Sequence, residues 1–141
     1  MTYQTNLNLK ATDFALLFFR IALALMMLVH GIPKLLTLFG DAEIQFADPM
    51  GLGMTASLAL AVFAEVICSI LLLLGLGTRL AAIPLIITML VAILIVHVPD
   101  GWGRQELPTL YAVCYVVLLL TGPGKYSLDH IFLKNKKSKI A

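Results

Sequence analysis

The sequence predicts an all-α membrane protein, a bundle of four transmembrane helices with both the N- and C-termini cytoplasmic. Three observations predict it. Of 141 residues, 60% are apolar and only 13% charged, against roughly 45–50% and 25% in an ordinary soluble domain. The apolar residues form long runs without strict alternation, which favours helices over a closed barrel where no water is present to satisfy open backbone groups. Four of these runs, residues 12–39, 55–76, 80–98 and 107–121, approach the roughly 20 residues needed to cross a bilayer.

A chain of this length has no room for a soluble domain beside four spans, so one membrane domain over residues 1–141 is expected. In the first run, Ala22-Leu23-Ala24 looks superficially like a signal cleavage site. The apolar stretch continues far beyond it, however, and Lys10 is the one basic residue among the first ten, so this helix is expected to be retained. The loop to the second run carries Asp41, Glu43 and Asp48 and no basic residue.

The second run ends at the turn GLGTR, in which Gly75 and Gly77 break the helix, as Gly51 and Gly53 do before it. The third ends in LIVHVPDGWGR, and the fourth, the shortest, is expected to draw residues from that loop. Pro123 between Gly122 and Gly124 stops the fourth helix. Beyond it Ser127 is a candidate N-cap for a short surface helix with Ile131 and Phe132 toward lipid.

Orientation follows from the basic residues. Lys125, Lys134, Lys136, Lys137 and Lys139 crowd the basic tail, residues 123–141, and by the positive-inside rule this end is cytoplasmic. An even number of spans returns the N-terminus to the same side, with Arg79 also inside and the acidic loop outside. A net charge of only +2 and a juxtamembrane position point the tail to anionic lipid rather than to nucleic acid. A multi-pass protein of the bacterial inner (plasma) membrane is the expected setting.

Ionisable residues inside such helices are costly and face the bundle interior or pair with one another. His30 and Lys34, four apart in LVHGIPKLL, share one face of the first helix, and Arg20 projects within roughly 80° of both at 3.6 residues per turn. Met27 and Gly31 fill the same stripe, and Pro33 is a candidate kink. Glu65, near the centre of the second run, is flanked on its face by Ser57, Ala61, Cys68 and Ser69, small enough for close helix approach. It is either protonated or paired with Arg20, His30 or Lys34, and the pair either fixes helix packing or forms a proton or ligand site.

A second polar group, His97, Asp100, Arg104 and Glu106 with Trp102, forms a charged outer rim, His97 at a depth similar to His30. Two histidines could ligate haem iron. Nothing else in the sequence singles out a haem, and no metal-ligand spacing is present, so neither haem nor metal is expected. Cys68 and Cys114 read as buried small residues. Tyr111 and Tyr115 read as packing, or as the wall of a pocket for a flat quinone head group.

The segments FFRIALALMMLVHGIPKL, FAEVICSILLLLGLGTRLAA and GPGKYSLD, in that order, resemble the DoxX family of small four-helix bacterial membrane proteins. The resemblance spans residues 14–129 and maps the family's motif positions onto Arg20, His30, Gly31, Lys34, Glu65, Gly75, Thr78, Arg79, Gly122, Pro123, Gly124, Ser127 and Asp129. It implies a redox-associated subunit, linked to quinone or thiol chemistry, that acts with a partner oxidoreductase. No glycine-rich phosphate loop of the required context is present, so any electron transfer would need a quinone or a partner subunit. On this reading His30, Lys34 and Glu65 are the candidate ligand or proton site, with Arg20, Arg79, His97, Arg104 and Glu106 as supporting charges. At most the chain is a subunit of a membrane oxidoreductase complex, in which it could form a homo-oligomer. The alternative is a non-enzymatic scaffold, chaperone or small-solute carrier in which the same charges are structural.

Overall fold

The computed structural model describes residues 6–140, with the side chains of 139 and 140 outside the description, so Lys139 is not placed. Among the described residues the chain is helical, without strands. Helix α1 spans Leu9–Phe39, α2 Met54–Leu74, α3 Thr78–Val96, α4 Trp102–Thr121 and α5 Leu128–Ile140. Three of them, α1, α2 and α3, are long and apolar enough to cross a membrane. The fourth has 20 residues, and its first turn is polar, since Gly101 (φ 78) starts the helix at Trp102, ahead of the apolar run.

The helices pack in a ring. α1 lies along α2, α2 touches α3, α3 packs extensively on α4, and α4 returns to α1 more lightly. The core between them is formed by Ala24, Met27, Leu72, Leu85, Tyr115 and Leu118 among others, each at or below 1% exposure. The outward faces are apolar too: Phe14, Phe18, Val29 and Leu36 on α1 are all more than 60% exposed. Water would not tolerate so continuous an apolar surface, and a bilayer is its natural solvent. The chain is a membrane protein.

α1 runs unbroken through Pro33. Asn8 caps its start, its side chain accepting from the Ala11 amide at 3.3 Å. Two other helices depart from α geometry. α2 winds as a π-helix over Phe63–Cys68, and α3 ends as one over Ala92–Val96. Such wide turns insert a residue into the α ladder, re-aim the side chains around them and concentrate at functional sites.

The loop between α1 and α2 folds back over the C-terminal end of α1 and the N-terminal end of α2. Ile44 and Phe46 pack on a second apolar cluster of Leu58, Val62 and Val66. Asp48 pins the loop: its carboxylate accepts from the Leu52 and Gly53 amides, both at 2.9 Å, and from the Ser57 hydroxyl at 2.8 Å. The acidic side chain thereby meets amides at the start of α2 that would otherwise lack partners.

Candidate functional site

The thirteen motif positions fall into two groups at opposite ends of α1. Nine of them, from Arg20 to Asp129, gather where α1 begins, α2 meets α3 and α4 meets α5. There Gly75 and Gly77 adopt left-handed backbone, φ 68 and 57, and the Asp129 carboxylate accepts from the Gly77 amide at 2.7 Å and the Thr78 amide at 3.0 Å. The Asp129 amide in turn donates to the Gly75 carbonyl at 2.9 Å. A side chain at position 75 would place its Cβ 2.6 Å from Ser127 and 2.9 Å from the Arg20 guanidinium; glycine is required here for space as well as for φ.

Arg20 is 1% exposed. Its Nη1 donates to the Pro123 carbonyl at 2.6 Å and its Nη2 to the Tyr126 carbonyl at 2.7 Å, with Asp129 close enough to attract it. Arg79 donates to the Leu120 carbonyl at 3.3 Å and lies 3.2 Å from where a Cβ on Gly122 would be. Ser127 caps α5: its Oγ accepts from the His130 amide at 3.2 Å and donates to the Gly124 carbonyl at 2.7 Å. Two arginines, an aspartate and a serine thus clasp the chain turns of one end together. Charge-assisted bonds from a buried guanidinium to carbonyls are strong, because both carbonyls would otherwise lie unsatisfied at the end of a helix or in a turn.

The other four motif positions, His30, Gly31, Lys34 and Glu65, meet where α1 crosses the π-turn of α2. Gly31 makes the crossing close: a Cβ there would lie 2.8 Å from Val66 Cγ2 and 3.0 Å from the Glu65 backbone. Glu65, 3% exposed, accepts from Lys34 Nζ on both carboxylate oxygens at 2.6 Å. The ring of Phe46, from the folded-back loop, lies 5.9 Å from the same ammonium, within cation–π range. Of the three cations within sequence reach of Glu65, Lys34 is the partner; Arg20 is committed to the far clasp.

A cavity of about 330 Å³ opens beside this pair. His30, Lys34, Glu65, His97, Arg104 and Tyr111 supply its polar lining, and Met27, Met89 and Ala92 part of its apolar wall. The two polar groups read separately in the sequence therefore share one chamber. Glu106 is exposed and does not line it, and Arg79 lies at the clasp. The π-turn ending α3 brings His97 to the rim, where its Nδ1 lies 3.1 Å from Asp100. Gln105 donates to the Ile93 carbonyl inside that π-turn at 2.9 Å, tying the start of α4 to the end of α3. Tyr111 meets the His30 ring edge-on at 5.9 Å and stacks on Tyr115 at 6.0 Å behind it. Gln105 and the two π-turns carried no signal in the sequence, since a π-turn needs no special residue.

Cationic and neutral donors dominate the chamber. Lys34 has three N–H groups and gives two directions to Glu65, while the side chains of Arg104 and His30 make no hydrogen bond or ion pair among the described residues. Donors held in a small, largely apolar recess suit a planar ligand with carbonyl or anionic oxygens. Among the described residues no group of three or more His, Cys, Asp or Glu side chains could hold a metal ion. Both cysteines are free thiols.

The family model that matches is DoxX, over residues 15–98, which takes in most of α1 and all of α2 and α3. An uncharacterized protein of Haemophilus influenzae is 33% identical over 133 residues, 89% of this chain and 96% of its own length. The inner membrane protein YphA of Escherichia coli is 33% identical, over 81% of this chain and 87% of its own. A Bacillus subtilis protein named "Putative oxidoreductase CatD" is 28% identical, over 92% of this chain and 95% of its own. No solved structure matches.

Proposed function

Since the chain belongs to the DoxX family, we propose that it is a redox-associated subunit of the bacterial inner membrane that binds a quinone head group beside the Lys34–Glu65 pair and works with a partner oxidoreductase. The observation that carries this reading is the convergence of His30, Lys34, Glu65 and Arg104 on one chamber of about 330 Å³, the lower end of the size range of small-ligand sites. The name of the Bacillus subtilis relative supports the redox class, and that of YphA supports the inner membrane.

In this reading residues 1–141 form one domain of four spans, α4 crossing with the other three, and both termini are cytoplasmic. Arg79, Lys125, Lys134, Lys136 and Lys137 cluster at the clasp end, whereas Asp41, Glu43, Asp48, Asp100 and Glu106 lie at the other; this asymmetry supports the orientation. The quinone site then opens toward the outer half of the membrane.

When bound, a quinone supplies an acceptor for two electrons from the partner and two protons. The chain's own residues hold and charge-balance it. Arg104 and the third N–H of Lys34 donate to a ligand oxygen and favour its anionic form. His30, uncommitted and packed on Tyr111, donates to or accepts from a second oxygen according to its protonation. Glu65, 3% exposed and bonded to Lys34, is positioned to exchange a proton when the ammonium turns toward the ligand.

Titrating the purified protein with ubiquinone and menaquinone, beside Arg104→Ala and His30→Ala, tests the reading. Saturable binding that weakens about tenfold or more in either variant supports it, as loss of a charge-assisted bond would produce. Absence of saturable binding to folded wild-type protein sinks it. A second reading is favoured by the saturation of both Glu65 oxygens at 2.6 Å: a scaffold in which the pair only locks α1 to α2. It predicts that Glu65→Gln disturbs assembly without affecting any ligand.

A further inference from the structure

A second recess lies on the lipid side of α1 and α4, where these helices touch most lightly. It measures about 170 Å³ and has no polar surface. Ala22 and Met26 of α1 and Leu110 and Cys114 of α4 line it, and Leu107 and Tyr111 line both it and the polar chamber. Met26 and Leu110 are 54% and 58% exposed, so the recess faces the acyl chains directly.

One wall shared by a polar chamber and a lipid-facing apolar groove is the shape that an amphiphile requires. A tail-less polar solute would need only the chamber, and a structural lipid only the groove. Resting on the quinone reading of the chamber, we propose that the α1–α4 groove holds the first part of an isoprenoid tail, and that the ligand enters sideways from the bilayer past Tyr111. Tyr111 suits a threshold position. Its ring packs T-shaped on His30 and stacks on Tyr115, so it is braced on both sides while it lines the groove and the chamber alike. An apolar tail gains free energy there in proportion to the protein surface that it covers.

The test compares two probes, a dimethoxy-methyl-benzoquinone without a tail and the same head group with a short isoprenyl tail. Binding is followed by quenching of Trp102, the single tryptophan, at the chamber rim beside Gly103 and Arg104. Ala22→Phe and Met26→Phe fill the groove from α1; Met26, half exposed, tolerates the change even if Ala22 does not. The expected result is that the tailed probe loses about tenfold in affinity in these variants, the worth of roughly two buried methylene groups, while the tail-less probe binds as it does to wild type. Equal behaviour of the two probes in both variants overturns the groove assignment and leaves the chamber standing. Failure of both probes to bind wild-type protein overturns the chamber reading itself, and the groove assignment with it.

Discussion

Lys34 reaches across from α1 to place its ammonium 2.6 Å from each oxygen of Glu65, inside the π-turn of α2. The two partners are unequally buried, with the lysine side chain 31% exposed and the glutamate 4%. Removing the lysine therefore strands a charge more deeply than removing the glutamate. Glu65→Gln is expected to lower stability by about 1–3 kcal/mol, less than for a fully buried pair because solvent reaches the ammonium. Lys34→Met is expected to cost more, because it leaves the deeper carboxylate without its partner. Thermal unfolding of both variants in the same detergent checks the order; a smaller loss for Lys34→Met at neutral pH would contradict it.

Gly31 sets how closely the helices carrying that pair approach. With 2.8 Å to Val66 Cγ2 and 3.0 Å to the Glu65 backbone, Gly31→Val forces α1 off α2. The expected loss is about 1–3 kcal/mol, in the range of overpacked cores. A Gly31→Val protein that melts with wild type would mean that the helices are not in contact here.

At the opposite end, Asp129 stands where an N-cap side chain would for α3, on the Gly77 and Thr78 amides. Asp129→Ala is expected to cost about 1–2 kcal/mol, as cap losses do, and to free α5 from the bundle. Limited proteolysis reads the second effect: cleavage within residues 122–135 should accelerate in the variant. Arg20→Lys should behave similarly, because one ammonium cannot reproduce two forked bonds to Pro123 and Tyr126. Unchanged cleavage in both would show that the clasp does not hold α5.

Asp48 gives the loop between α1 and α2 a pH dependence. The Ser57 hydroxyl, then the Gly53 amide, hold its carboxyl below the ordinary 3.8 against the opposing effect of desolvation, with lesser help from the Leu52 and Gly51 amides. Because the folded value is depressed, the stabilisation is fully present above the ordinary value and is lost as pH falls through the folded one. Hydrogen exchange at Leu52 and Gly53 should therefore be slow at neutral pH and rise on acidification, relative to the intrinsic rate. In Asp48→Asn the same amides should exchange faster at neutral pH and change little with acid. A wild-type profile that is flat through the carboxylate range would remove Asp48 from the role of loop anchor.

How much of this could be read from the sequence depended on the range of the physics. The helices and their stops could be, because apolar length, Gly75, Gly122 and Pro123 act locally; so could Ser127 as the cap of α5. His30, Lys34 and Glu65 stood out because a bilayer makes any charge conspicuous. The partner of Glu65 could not be chosen, since it depends on the tilt and register of α1 against α2, which apolar length leaves open. Arg20 and Lys34 were both candidate partners for Glu65 from one helix face, yet they serve opposite ends, 14 residues and about 21 Å apart at 1.5 Å per residue. The merging of His97 and Arg104 with the inner group was hidden for another reason. It depends on the π-turn at Ala92–Val96 and on Gln105 closing it, a backbone choice made by tertiary packing.

A quinone in the chamber beside Lys34 and Glu65 would travel with the protein out of the bilayer. Native mass spectrometry of the protein released gently from its own membrane, with parallel extraction of bound small molecules, tests it most directly. The expected result is a quinone in stoichiometric amount in wild-type protein, depleted in Arg104→Ala, with a co-purifying oxidoreductase consistent with the partner role. A folded wild-type protein that carries no quinone, and takes none up from a saturating supply, would contradict it and leave the ion pair as a structural lock.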